Sequence, residues 1–194
     1  HGAERARDGL VALYDFSAVD GAAVKDRSGL NPPLDLRITA IKNIRRRAGS
    51  IEIQKGTVIA STRPPVRLLN ALKQSNEITV EVWFKPANLK QDGPARLVTI
   101  SKNTSERNFT IGQEATSLQA RLRTTRTSKN GMPAIEATRL LSGEITQAVY
   151  TRDGTGHATM YVNGKKVKGQ TVAGTMTNWD STYRLALANE LSGD

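Results

Sequence analysis

The chain has 194 residues, with 28 lysines and arginines against 18 acidic residues, two histidines and no cysteine, for a formal net charge of +10. The lack of cysteine excludes disulfides, thiolate metal sites and a thiol nucleophile, and two histidines exclude a zinc site built from several imidazoles. No apolar run approaches the ~20 residues of a membrane-spanning helix, and the basic excess favours acidic partners. Nucleic acid is the less favoured of these, because no block of five like charges occurs and the densest cluster, KNIRRR at 42–47, is short.

The dominant period along the chain is two, the signature of half-buried strands. The polar start HGAERARDG lacks the features of a signal peptide, and GLVALYDFS (9–17) follows as an apolar run predicted to be the first strand. PLDLRITA (33–40) alternates Leu34, Leu36 and Ile38 with Asp35, Arg37 and Thr39, and SIEIQKG (50–56) alternates Ile51 and Ile53 with Glu52 and Gln54. STRPPVRLLNALKQSN (61–76) departs from the period. It predicts a short helix near 65–74, with Pro64 and Pro65 suited to a first turn and Val66, Leu69 and Leu72 on one side.

EITVEVWFKP (77–86) places Ile78, Val80, Val82 and Phe84 on one face and Thr79, Glu81 and Trp83 on the other, with the tryptophan expected to pack. RLVTISKN (96–103), NFTIGQE (108–114), SLQARLRTT (117–125) and ITQAVYTRD (145–153) continue the strands, and TSKNGMPAIEATR (127–139) reads as a long hairpin loop. HATMYVNGKKV (157–167) sets Ala158, Met160 and Val162 against His157, Thr159 and Tyr161. Its Asn163-Gly164 pair accepts the positive φ of a tight hairpin turn. YRLALAN (183–189) is the last strand. Ten or so short strands with turn residues between them, no interior linker and no repeat predict one all-β domain over 1–194, an antiparallel two-sheet sandwich with one short connecting helix.

Catalytic constellations are weak. Glu77 and Glu81 share a strand face four residues apart, about 13 Å at strand rise, beyond the ~5–9.5 Å of a glycosidase pair. Arg121, Arg123, His157, Tyr150 and Tyr161 are residue types that a polysaccharide lyase uses, but R-x-E-x-R and Q-x-H are absent, and no serine sits in a nucleophile elbow. His1 with His157 could bind copper; a processing remnant is the simpler reading of His1. Asp26, Ser28 and Asn31 around a glycine turn, with Asp153, offer the oxygen ligands that calcium takes, against the plain turn that Asp-x-Ser-Gly also specifies. For a glycan, Trp179 between Asn178 and Asp180 is the stacking candidate, with Arg121 and Arg123 for an anionic ligand; the alternative is a tryptophan that anchors its loop in the core. Asn103 and Asn108 fit the N-glycosylation pattern.

Four segments, taken in order, resemble the laminin-G-like, concanavalin A-like jelly-roll family common in exported bacterial multidomain proteins. GLVALYDFSAVDGAAVKDRSGLN carries an apolar-aromatic strand, a glycine turn and V-x-D-x-S-G-x-N. ALKQSNEITVEVWFKP carries E-x-W-x-x-P on a strand after a polar loop. AVYTRDGTGHATMYVNGKKV holds two strands joined at D-G and ending in Y-V-N-G-K, and YRLALANE is similar to the strand that follows. The resemblance implies a jelly roll, a structural calcium, an extracellular or periplasmic location beside other domains, and a non-catalytic carbohydrate-binding or adhesion module, with the basic charge tilting the ligand towards acidic glycans. Its rivals are a structural or protein-interaction domain beside a catalytic or redox domain, and a jelly-roll lyase or hydrolase. The family pattern continues past LANE into a closing apolar strand. That strand is expected beyond Asp194 or from another chain, because LVALYDF (10–16) is too apolar for a comfortable sheet edge.

Overall fold

The computed structural model describes residues 7–191. The period-two segments form β1 (Ala23–Val24), β2 (Leu36–Ile38), β3 (Ile44–Arg47), β4 (Ser50–Ile53) and β5 (Ile59–Ser61). The helix α1 (Val66–Ser75) follows, then β6 (Ile78–Phe84), β7 (Ala95–Ser101), β8 (Arg107–Glu114), β9 (Ser117–Leu122) and β10 (Ile135–Ala137). The last strands are β11 (Thr146–Arg152), β12 (His157–Val162), β13 (Lys165–Thr171) and β14 (Arg184–Leu187). They make an eight-stranded antiparallel sheet in the order β1-β2-β5-β14-β7-β8-β9-β10, a four-stranded sheet in the order β13-β12-β11-β6, and the separate hairpin β3-β4.

The two large sheets enclose one core. Ile100, Phe109, Ile111, Leu118 and Leu185 enter it from the larger sheet, and Ile78, Ala148, Tyr150, Ala158 and Met160 from the smaller. Phe109 and Tyr150 meet across it with ring centroids 5.4 Å apart. Burial of each large apolar side chain stabilises by roughly 1.5–3 kcal/mol. The inward set read from HATMYV holds, with Ala158 and Met160 fully buried and His157 exposed, although the outward Thr159 is buried as well. Asn163 (φ 49°) and Gly164 (φ 76°) make the predicted turn, and Asn163 Oδ1 accepts from the Gln147 amide at 2.9 Å. The hairpin is thereby tied to β11 as well as closed on itself.

Two expectations are corrected. Residues 10–17 form no strand. Their backbone is held by loop partners instead: Leu13 N donates to Asp26 Oδ1, Arg27 N donates to Leu13 O, and Gly49 N donates to Phe16 O, with Phe16 in the left-handed region at φ 52°. Val11, Ala12, Tyr14 and Phe16 pack against the core from this irregular path. The edges of the two large sheets lie elsewhere, at β1, β10, β13 and β6, each of which pairs with one strand among the described residues. In α1 the buried side chains are Leu68 and Leu69, while Val66 is 57% exposed. Arg67 donates to Pro32 O and Val11 O, and that anchor turns Leu68 inward.

Several arginines are committed to loop carbonyls. Arg46 donates to the carbonyls of Ala18, Gly21 and Ala23. Arg152, 2% exposed at the end of β11, donates to the carbonyls of Val172 (3.0 Å), Asn76 (2.7 Å), Asp153 (3.3 Å) and Gly174 (2.6 Å). These guanidinium groups staple loops together, a task that needs five donors in a rigid fork.

Candidate functional site

The loop nominated from sequence is structural. Trp179 is 2% exposed and its Nε1 donates to Arg123 O at 2.6 Å. Asn178 Nδ2 donates to Thr124 O. Asp180 Oδ1 accepts from the backbone and hydroxyl of Thr182, and the Asp180 backbone pairs both ways with the Asn108 amide. Residues 178–180 thus pin their loop to the ends of β8 and β9, and the buried indole leaves a sugar no face to stack on. Arg123 serves the same anchor through its carbonyl. Arg121 stands apart on β9, donating to Gln119 Oε1 at 2.7 Å.

The oxygens proposed for calcium are also committed elsewhere. The side chain of Asp26 is fully buried. Its Oδ1 accepts from Leu13 N (3.1 Å) and Ser28 N (2.9 Å), its Oδ2 accepts from Leu34 N (2.9 Å), and Arg67 Nη2 lies 3.6 Å away. Burial pushes its pKa up, but the amides of Leu34, Ser28 and Leu13 together outweigh that and hold the carboxyl below its usual value. A cation there must displace three amides and face a guanidinium. Ser28 Oγ accepts from Leu30 N, and Asn31 is exposed beside this turn. Asp153 works in a different turn, between β11 and β12, where Oδ1 accepts from Thr155 N, Thr155 Oγ1 and His157 N. Among the described residues no three histidine, aspartate or glutamate side chains converge on a metal position. His1 lies outside the described residues.

The outer face of the four-stranded sheet has the features that the loop lacks. Register sets three rows across it: Trp83 and Gln147; then Glu81, Val149, Tyr161 and Lys166; then Thr79, Thr151, Thr159 and Gly169. Trp83 is 58% exposed, contrary to the expectation that it packs. The inward positions of β6 are taken by Ile78, Val80, Val82 and Phe84, so strict alternation turns the indole out. The sequence pattern itself carried this signal, in placing Trp83 with Thr79 and Glu81. Trp83 Nε1 donates to Glu81 Oε1 at 2.8 Å, and Gln147 Nε2 donates to the same oxygen at 2.9 Å. The ring is oriented while its face stays open.

On the same face, towards the start of β6, is a depression of about 340 Å³ bounded by Glu77, Thr79, Asp153, His157, Thr159 and Tyr161. Gly169 gives it room: the Lys166 ammonium lies 3.3 Å from where a Cβ on Gly169 would stand, so a side chain there would push the lysine aside. Four strands at a spacing of ~4.8 Å make the face about 14 Å wide from β6 to β13. An open indole, a tyrosine, threonine hydroxyls and a lysine form a surface that can stack on a ring and bond its hydroxyls. Two carboxylates, Glu77 and Asp153, border this depression, and both accept hydrogen bonds from the turn between β11 and β12. Glu77 Oε1 accepts from Gly154 N, and Glu81 lies four residues on, about 13 Å by strand rise.

Solved structures share this architecture. The binding domain of botulinum neurotoxin DC, in complex with rat synaptotagmin II, superposes with TM-score 0.66 at 14% identity, over 96% of this chain and 45% of that one. A structure of botulinum neurotoxin type C, whose cell entry is described as dependent on two ganglioside molecules, gives TM-score 0.64 at 14% identity over 95% and 44%. The binding domain of Paraclostridial Mosquitocidal Protein 1 gives TM-score 0.61 at 14% identity over 95% and 45%. This chain spans less than half the length of these structures, and at such identity the likeness is one of fold. No curated protein sequence matches the chain. The family model of the concanavalin A-like lectin/glucanases superfamily (Laminin G type 3) matches residues 61–194, from β5 onward through both sheets, and the chain belongs to that superfamily.

Proposed function

We propose that the chain is a non-catalytic carbohydrate-binding module whose ligand lies across the outer face of the four-stranded sheet, stacked on Trp83 and bonded by the threonine hydroxyls and Tyr161. The observation that carries this reading is the exposed, oriented indole of Trp83 on the face that also holds a polar depression. Lys166, exposed on β13 beside Tyr161, favours a ligand with carboxylate or sulfate groups. The likeness to toxin binding domains, one of them tied to gangliosides, supports a glycan ligand. In this reading the module belongs to an exported multidomain protein, as the sequence resemblance implies. Calorimetric titration of neutral and uronic-acid oligosaccharides tests it. The expected result is saturable binding of the acidic series, weakened by Tyr161→Ala, with no new reducing ends or unsaturated products. Turnover of the sugar would move the protein to the lyase or hydrolase class.

One observation favours a protein partner instead. Ile145, 65% exposed, precedes β11, two residues before the Gln147 that pairs with Trp83. An Ile145→Ser variant with unchanged glycan affinity keeps the carbohydrate reading. A chain that binds no glycan fits the protein-interaction module.

A further inference from the structure

The outer face of the eight-stranded sheet carries a different chemistry. Register places Ala186, Thr99, Thr110 and Gly112 in its floor, with Arg96 on β7, Arg107 on β8 and Arg121 on β9 around them. Glu190 reaches this face from beyond β14. Its Oε1 accepts from Ser101 Oγ (2.8 Å) and Leu191 N (2.8 Å), and its Oε2 lies 2.6 Å from Arg96 Nε. Burial, with Arg96 adding to it and Glu114 opposing it, holds the Arg121 guanidinium below its usual pKa.

Arg107 is the anomaly. It is fully buried, yet its guanidinium donates only to neutral oxygens, Thr110 Oγ1 at 3.2 Å and Thr104 O, and its Nε has no partner among the described residues. Burial first, then repulsion by Arg96 and Arg121, pushes its pKa down to about 10 against a partial offset from Glu190. Arg152 shows the contrast: equally buried, it is surrounded by four carbonyls that fix loops. Buried charges in proteins are ordinarily paired, because an unpaired one carries a large desolvation penalty.

We propose that this face is an oxoanion-binding site, distinct from the Trp83 face. Arg107 and Arg121 hold a sulfate or carboxylate group of the ligand, while the chain's own Glu190 occupies the Arg96 position. Guanidinium groups take such anions through paired, charge-assisted bonds. The approach is a depression of about 270 Å³ bounded by Ser101, Lys102, Arg184 and Leu191, and Ser101 is the cross-strand neighbour of Arg107. Glu190 and Leu191 stand at this approach, so the Glu190 carboxylate competes with an incoming anion.

The test is calorimetric titration of the whole chain with sodium sulfate and, separately, sodium glucuronate, each against sodium chloride at matched ionic strength. Saturable binding of at least one anion is expected, and which anion binds assigns the group. Glu190→Gln should bind at least 10-fold more tightly. Arg107→Gln and Arg121→Gln should each bind at least 10-fold more weakly, and Trp83→Ala should bind unchanged. Should Arg107→Gln fail to fold, Arg121→Gln, which is only half-buried, decides the matter. Two results overturn the proposal: no saturable binding by either the native chain or Glu190→Gln, or binding that neither arginine variant alters.

Discussion

Replacing Arg152 by alanine removes the donor that joins three loops. The side chain serves the Asn76 carbonyl at the end of α1, the Val172 and Gly174 carbonyls after β13, and more weakly the Asp153 carbonyl. Three of these bonds are 3.0 Å or shorter. Each buried acceptor left without a donor costs about 1–3 kcal/mol, partly recovered by water entering the vacated space. Losses of about 3–5 kcal/mol are typical when one partner of a buried charged network is removed. In a domain of this size about 1 kcal/mol moves Tm by 2–4 °C, so Arg152→Ala should melt ~6–20 °C lower. Arg152→Lys keeps the charge, but a single ammonium cannot reach three directions; at least half of the loss should persist. Thermal and urea unfolding followed by circular dichroism measure both variants. Hydrogen exchange should also quicken at 172–179, because Asn76 Oδ1 accepts from the Met176 amide and is held by the same cluster. A Tm drop under ~3 °C for Arg152→Ala, less than about 1 kcal/mol, contradicts the staple role.

Asp26 is held below its usual pKa in the folded chain, so the stability it contributes is present above the unfolded value near 3.9 and is lost as pH falls through the folded one. Asp26→Asn should lose about 1–3 kcal/mol at neutral pH and show a shallower acid limb in melts from pH 7 to pH 2, and a chelator should leave the native Tm unchanged. Trp179→Ala should cost about 3–5 kcal/mol as a core truncation, read by urea unfolding, whereas a ligand-facing tryptophan would cost almost none. Affinity for acidic oligosaccharides should fall as salt rises from 0.05 to 0.5 M, because exposed lysines are screened over ~8–10 Å or less; salt-independent titrations would remove β13 from the binding face.

The sandwich was legible because alternation and turn residues are local signals. The β12–β13 hairpin follows from HATMYVNGKKV alone, and its inward residues are those that the period selects. The segment LVALYDF misled because apolar content states that a residue is buried without stating how its backbone is paired. The partners that fix it, Asp26, Arg67 and Gly49, lie 13 to 56 residues away. Composition gives the charge of +10 but not which arginines are structural: Arg46, Arg67 and Arg152 give donors to loop carbonyls far away in sequence. For the candidate site, sequence ranked the two tryptophans by loop against strand. The informative contrast was parity, since a tryptophan out of phase with four apolar neighbours on an open-edged strand faces solvent.

Tryptophan fluorescence during glycan titration bears most directly on the central claim, because the chain has two tryptophans, one buried and one open. Stacking one ring face covers roughly 100 Å² of the indole, worth about 2.5 kcal/mol or ~70-fold in affinity. The account predicts an emission change on titrating a bound acidic oligosaccharide, its loss in Trp83→Ala together with a fall in affinity of that order, and an unchanged Tm. Full affinity in Trp83→Ala would contradict the account and move the ligand off the four-stranded sheet.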